Sequence, residues 1–305
     1  MVGQLTLLFI YLNKLKTYKI KTMNVLSLFD GMSCGQIALY NLGIKVDNYY
    51  SCEIDKHAIS VTMSNFPNTI QLGDVTKVKG ENLPQIDLLI GGSPCQGFSF
   101  AGKQLNFNDP RSALFFEYVR LLKETNPKYF LLENVKMKQE FQDVISDYLG
   151  VKPILINSSL VSAQNRPRLY WTNIPNVGKP EDKNVRLIDI LDNKRDLYEY
   201  ISEEKTKLHS YKKNYLQYDV SGKGYNSQGQ RAYYLSGKHG CMDTGGSGKI
   251  LENDGKIRKI TRNEGERLQT VPDDYTRVVS KTQALKMLGN GWTVDVIKHI
   301  FSNMC

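Results

Sequence analysis

The sequence predicts an α/β protein, built on a doubly wound, mostly parallel sheet that carries a second, smaller domain. Short apolar runs alternate with helix-like stretches over the first half of the chain. Each run stops at a glycine or a carboxylate, as buried parallel strands do where they enter a βα turn. Near residue 176 the texture turns polar and rich in Gly, Ser, Lys and Tyr, and helical pattern returns at about 261. A chain of 305 residues is long enough for one large and one small unit.

Taken in order, residues 25–29 (VLSLF) read as a buried strand closed by Asp30-Gly31, and 34–42 as a helix. Residues 49–53 give a second strand and 56–65 a second helix. The run 87–90 (DLLI) is a strand cut by Gly91-Gly92, and 112–123 has helical periodicity. Residues 129–132 (YFLL) form a strand ending in Glu133-Asn134, and 154–156 and 169–172 add two more. Helices are expected at 262–269, 281–288 and 293–301. The division is therefore 23–175 for the main domain, 176–260 for the smaller one, and 261–305 for a segment that returns to the first. Residues 1–22 are expected to be a non-native or disordered extension, because Met23 stands directly before the first strand. Their run LTLLFIYL is too short to span a bilayer, and its lysines follow rather than precede it, unlike a secretory signal.

The formal net charge is +9, which suits a polyanionic partner but equally a solvated basic surface. The five cysteines are odd in number and none forms a C-x-x-C pair. This usage disfavours a disulfide scaffold or a metal site and fits a reducing cytoplasm.

In a doubly wound sheet, ligands bind at the carboxyl ends of the strands. Asp30-Gly31-Met32-Ser33-Cys34-Gly35 is a glycine turn between strand and helix, where a ligand can approach the backbone; by itself it is also an ordinary βα turn. It is not G-x-G-x-x-G, so a nicotinamide dinucleotide is disfavoured. Glu53 at the next strand end can accept both hydroxyls of a ribose. Asp74, after Gly73, can accept an adenine amino group. Either is as readily a helix cap or a surface charge. The segment Gly91-Gly92-Ser93-Pro94-Cys95-Gln96-Gly97-Phe98-Ser99 leads into a long Gly-, Lys- and Asn-rich loop, 101–111. An isolated cysteine is most often a buried hydrophobe, but Gly, Pro and Ser neighbours argue for a reactive thiol. Glu133 ends a strand of the same sheet, where a carboxyl in a partly dry pocket can hold and donate a proton. Gln164-x-Arg166-x-Arg168 puts two cations on one face of an extended segment, or on a solvated edge.

Together these motifs resemble the cytosine-C5 DNA methyltransferase family, bacterial or phage type, over nearly the whole chain. Phe29-Asp30-Gly31 with Gly35, then Glu53-Ile54-Asp55 and Gly73-Asp74, resemble its cofactor motifs. Pro94-Cys95-Gln96 is similar to its catalytic loop, Glu133-Asn134-Val135 to its glutamate motif, and Gln164-Asn165-Arg166-Pro167-Arg168 to its Q-x-R-x-R element. Glu266-Arg267-Leu268-Gln269 and Leu288-Gly289-Asn290-Gly291-Trp292-Thr293-Val294 resemble the last two motifs, with Gly291 where serine is common.

The resemblance implies the S-adenosylmethionine-dependent methyltransferase fold, with 176–260 as a target-recognition domain. It implies methyl transfer from S-adenosyl-L-methionine to C5 of a flipped-out cytosine in duplex DNA, without a metal. Cys95 would attack C6, Glu133 would hold N3, Arg168 would bond O2 and Arg166 would support them. Phe29, Asp30, Gly31, Glu53, Ile54, Asp74, Leu114 and Asn290 would form the cofactor pocket. Gln96, Ser99, Lys103 and Arg111 would contact DNA, with Arg231, Lys238 and Lys249 as further contacts by type and place. A cytoplasmic monomer is implied, with a separately encoded restriction endonuclease as a possible companion. A tRNA-directed enzyme of the same scaffold would carry a Cys-Phe-Thr triplet, which the sequence lacks. A DNA-binding protein that had lost catalysis would not need Cys95, Glu133 and both arginines.

Overall fold

The computed structural model describes residues 22–93, 110–201, 207–211, 215–219, 231–245 and 248–304. Cys95, Gln96, Ser99 and Lys103 lie outside them, as do residues 1–21; for Arg111 only the backbone is described.

Seven strands form the main sheet: β1 (Met23–Leu28), β2 (Val46–Cys52), β3 (Ile70–Gln71), β4 (Leu88–Gly91), β5 (Tyr129–Val135), β6 (Ile154–Asn157) and β7 (Pro167–Thr172). Their order is β3-β2-β1-β4-β5-β7-β6. All neighbours are parallel except β7, which runs antiparallel between β5 and β6. The doubly wound, mostly parallel sheet read from the sequence is therefore what the chain builds. β1 and β4 are buried almost throughout because helices cover both faces, which is why both read as unbroken apolar runs.

The covering helices are α1 (Cys34–Asn41), α2 (Lys56–Asn65), α3 (Pro110–Thr125), α4 (Gln139–Leu149), α5 (Arg262–Leu268), α6 (Lys281–Asn290) and α7 (Val294–Phe301). Asp55 caps α2 by accepting from the His57 and Ala58 amides. Thr261 and Glu264 form a capping box at α5. α7 buries Val294, Val296, Ile297, Ile300 and Phe301 and packs against α1, so the C-terminal segment does return to the first strand–helix unit. The helix α4 is absent from the reading of the sequence.

Two strand ends differ from expectation in ways that matter for the site. Phe29 has left β1, with φ 57°, and opens the turn that Gly31 (φ 59°) completes. β5 continues past Leu132 through Glu133 to Val135, where Val135 pairs with Arg168 of β7.

A second sheet of five strands comprises β8 (Lys207–Tyr211), β9 (Tyr215–Asp219), β10 (Arg231–Tyr234), β11 (Lys249–Leu251) and β12 (Ile257–Lys259), in the order β12-β11-β10-β9-β8. Its Tyr233 and Ile250 belong to the same buried apolar cluster as Val25, Ile90 and Leu288 of the main unit. A backbone crossing stitches the two parts: the Asn165 amide donates to His239 O (2.8 Å) and the His239 amide to Ala163 O (2.7 Å).

Candidate active site

The carboxyl ends of β1, β2, β4 and β5 open into one cavity of about 570 Å³. β1 lies between β2 and β4, at the point where strand order reverses, which is where doubly wound sheets bind ligands. Phe29, Asp30, Gly31, Glu53, Glu133, Arg166, Arg168 and Asn290 all line it, so the structure brings together most of the described residues that the sequence reading assigned to catalysis and cofactor binding.

On the β1–β2 side, Glu53 Oε2 accepts the Gly31 amide at 2.8 Å, and Oε1 accepts the Ile54 and Asp55 amides at 2.7 and 2.8 Å. Three backbone donors fix this carboxylate at the cavity wall. Asp30 does different work. Its two oxygens accept the hydroxyls of Ser27, Ser33, Tyr49 and Ser51. Burial raises its carboxyl above the usual range even though these hydroxyls act in the other direction. The Asp30 carboxyl knots the β1–α1 turn to β2. The Gly31 side of the turn is open: a Cβ added there would meet nothing within 4 Å.

On the β4–β5 side, Glu133 is 8% exposed and held from two directions. Arg168 Nε lies 3.0 Å from Oε1, and Trp292 Nε1 donates to Oε2 at 3.0 Å. Gly92 makes the second contact possible, since a Cβ there would sit 3.0 Å from Trp292 Nε1 and 3.1 Å from Glu133 Oε2. Asn134 Nδ2 reaches the Ser93 carbonyl and hydroxyl, both at 3.4 Å, holding the end of the β4 segment against β5.

Arg166 is 2% exposed and donates to Met242 O (3.2 Å), Gly289 O (2.9 Å) and Gly291 O (2.9 Å). Burial lowers its guanidinium from the usual value, and the neighbouring Arg168 charge acts the same way. The Cys241 thiol lies 3.2 Å from Arg166 Nη1 and 3.6 Å from Arg168 Nη2. Gln164 is fully buried; it donates to Leu268 O (3.1 Å) and accepts the Met242 amide (2.9 Å). Gln269 accepts the Thr293 hydroxyl (2.7 Å) and donates to Leu288 O (2.6 Å). The motifs around Gln164 and Gln269 thus clamp the Gly289–Thr293 turn onto the sheet. No side chain fits at Gly289, where a Cβ would fall 2.3 Å from Asp243 O. Gly291 serves through its carbonyl, and a Cβ would crowd Met287 O at 3.1 Å and Met32 Cε at 3.2 Å.

Three expected cofactor residues stand apart from the cavity lining. Ile54 is 78% exposed, with its amide on Glu53. Asp74 accepts the Thr76 amide and hydroxyl as a cap, and these bonds hold its carboxyl below the usual range. Leu114 packs against the apolar cluster that contains Phe115 and Tyr118. Lys238 is tied to three carbonyls, Ser159 O (2.6 Å), Val185 O (2.7 Å) and Ser162 O (3.2 Å). Trp292 is the functional candidate that sequence reasoning passed over. Its signal was its place inside the Gly289–Val294 motif, beside a glycine where serine is common.

Fold and site define a methyltransferase of the S-adenosylmethionine-dependent fold class. The family model for C-5 cytosine-specific DNA methylase matches residues 23–305, and the chain belongs to that family. It is 34% identical to the type II methyltransferase M1.ScrFI of Lactococcus lactis subsp. cremoris, over 95% of this chain and 79% of that protein. It is 28% identical to the type II methyltransferase M.HhaI of Haemophilus parahaemolyticus, over 95% and 97% of the two chains. The solved S. pombe Dnmt2 methyltransferase shares the fold with a TM-score of 0.72 at 18% identity, covering 92% of this chain and 98% of that one. Among the described residues no His, Cys, Asp and Glu group is placed to hold a metal, and no helix is long and apolar enough to cross a membrane.

Proposed function

We propose that the cavity takes S-adenosylmethionine on its β1–β2 side and a flipped cytosine on its β4–β5 side, with Cys95 as the nucleophile of the family's reaction. The observation that carries this reading is the Glu133 carboxylate, clamped by Arg168 and Trp292 in the same cavity as the fixed Glu53 carboxylate.

The β1–β2 side suits the cofactor. Glu53 is held with its carboxylate at the wall, where a ribose offers two hydroxyl donors, and the open side of Gly31 leaves room for the ligand. S-adenosylmethionine, when bound, supplies an electrophilic methyl group. Asp30 acts by shaping the turn, since its oxygens are already occupied by hydroxyls.

Carbon 5 of cytosine is a weak nucleophile. The Cys95 thiolate forms a bond to C6, which pushes the ring electrons toward C5, N3 and O2. Glu133 holds the proton at N3 and accepts from the amino group, favouring the addition. Arg168 offsets the charge that develops at O2, trading its contacts to the Pro167 carbonyl or the Cys241 thiol for that oxygen. Carbon 5 takes the methyl group, a base such as water takes the C5 proton, and the C6–S bond breaks. Arg166 positions rather than touches: its donors are spent on the carbonyls of Met242, Gly289 and Gly291.

The target base is stacked inside the duplex, so it must be flipped at a cost of a few kcal/mol. The loop 96–111, with Gln96, Ser99, Lys103 and Arg111, supplies the clamp, and the 176–260 region reads the target sequence. Double-stranded DNA is the substrate, and a separately encoded restriction endonuclease is the fitting companion. The test is to express the chain in methylation-free cells and map 5-methylcytosine. The expected outcome is modification at one short sequence, abolished by Cys95→Ser; no 5-methylcytosine in any context overturns the reading.

A further inference from the structure

The crossing between the two sheets sets a short strap, residues 241–244, against the catalytic arginines. Gln164 and His239 pair in parallel. Two residues further along each segment stand Arg166 and Cys241, and the parallel register brings them side by side. The strap is fixed at each step. The Met242 amide donates to Gln164 Oε1 (2.9 Å), and its carbonyl accepts from Arg166 Nη1 (3.2 Å). The Met242 side chain is buried in the cluster that holds Leu268 and Leu288. The Asp243 carbonyl packs on Gly289 too closely for a Cβ, and Asp243 and Thr244 go on to line the active-site cavity. The Cys241 sulfur therefore has a set place.

That place is between two like charges. The guanidinium groups of Arg166 and Arg168 are near enough for the Arg168 charge to act on Arg166. The sulfur lies 3.2 Å from Arg166 Nη1 and 3.6 Å from Arg168 Nη2. Its own hydrogen is directed to Met242 O at 3.6 Å, so its lone pairs serve the arginines. Arg168 is otherwise tied at the near end, with Nε on Glu133 Oε1 and Nη1 on the Pro167 carbonyl, both at 3.0 Å. The distal Nη2 is thus held by the weakest acceptor of the three, because a thiol sulfur is soft and accepts poorly.

We propose that Cys241 is a positioning residue for methyl transfer: its sulfur holds the distal nitrogen of Arg168 in place and yields it to the cytosine O2. The inference rests on the reading of Arg168 given above and deepens it. A weak anchor suits this task. It keeps the guanidinium from swinging while the site is empty, yet costs little to leave. The oxygen that replaces it gains charge as the Cys95–C6 bond forms, so the new hydrogen bond is strongest in the transition state. The exchange therefore favours the chemical step rather than the binding of substrate.

The test compares Cys241→Ala and Cys241→Ser with the wild-type chain, on a duplex carrying the mapped target. Cys241→Ala removes the acceptor at a half-buried position. Its expected kcat is roughly fivefold lower, with KM for duplex and for S-adenosylmethionine and the thermal midpoint all unchanged. Cys241→Ser restores an acceptor and is expected to bring kcat back to within about twofold of wild type. A wild-type kcat in Cys241→Ala overturns the proposal, as does a loss that Cys241→Ser shares in full or that tracks a lowered thermal midpoint. A raised KM for S-adenosylmethionine also overturns it, since that places the effect on Arg166 and the Gly289–Thr293 turn. Wild-type protein that does not methylate duplex DNA overturns the functional reading itself, so the two failures are distinct.

Discussion

Glu133 shows how single side chains set this site. A carboxylate with one partner can swing; Arg168 on Oε1 and Trp292 on Oε2 leave it one orientation. Positioning of this kind is worth orders of magnitude when the carboxyl must meet a ring nitrogen. Trp292→Phe keeps most of the ring and removes only the N–H. Its expected result is a kcat roughly tenfold lower with an unchanged thermal midpoint. An unchanged kcat would show that the indole merely packs. Glu133, Arg166 and Arg168 were singled out from the sequence because the ordered motifs around them resemble those of one family; a charge at a strand end, taken alone, reads as readily as a cap or a solvated surface group. Trp292 was not, since an indole reads as core until its N–H is seen on a carboxylate. Asp74 and Leu114 show the converse: residue type and position suit a pocket, yet one caps a 3-10 turn and the other fills the apolar layer.

At the scale of elements, the strand ends were readable and the seam between the sheets was not. The alternation of apolar runs and glycine stops located β1, β4 and β5 to within a few residues. The helix α4 had a signal in Phe141, Ile145 and Leu149 at four-residue spacing, hidden among polar neighbours. The pairing of residues 163–165 with His239 is long-range and leaves no local pattern. It buries His239, which burial lowers to about 4, against the opposing bond to Gly240 O. The imidazole is neutral in the fold and takes a proton near pH 6.5 when the chain unfolds. Stability is therefore whole above pH 6.5 and falls as pH drops from 6.5 to 4, by about 2 kcal/mol at pH 5. Denaturant unfolding at pH 7 and pH 5 measures this, and His239→Gln is expected to flatten the difference. An equal loss in both proteins would place the sensitive group elsewhere.

The whole molecule is organised so that distant motifs converge. The first strand–helix turn, the end of β5, the Gln164–Arg168 segment and the Gly289–Thr293 turn meet in one cavity only because α7 folds back onto α1. The fold class followed from strand–helix alternation, a property of the whole chain that survives local misreading. The organisation of the 176–260 region did not, because polar strands paired across long loops have neither strong periodicity nor sharp ends. The two sheets share an apolar cluster, so bending of one part against the other must work through that cluster rather than through a free linker.

The most direct test is covalent. Duplex DNA carrying the mapped target with 5-fluorocytosine at the methylated position is incubated with the protein and S-adenosylmethionine, then denatured and weighed by mass spectrometry. Fluorine cannot leave C5 as a proton does, so the account expects a protein–DNA adduct that holds the transferred methyl, with the linkage at Cys95 and none with Cys95→Ala. A wild-type protein that methylates ordinary DNA at that target but forms no adduct, or an adduct at another residue, would contradict it.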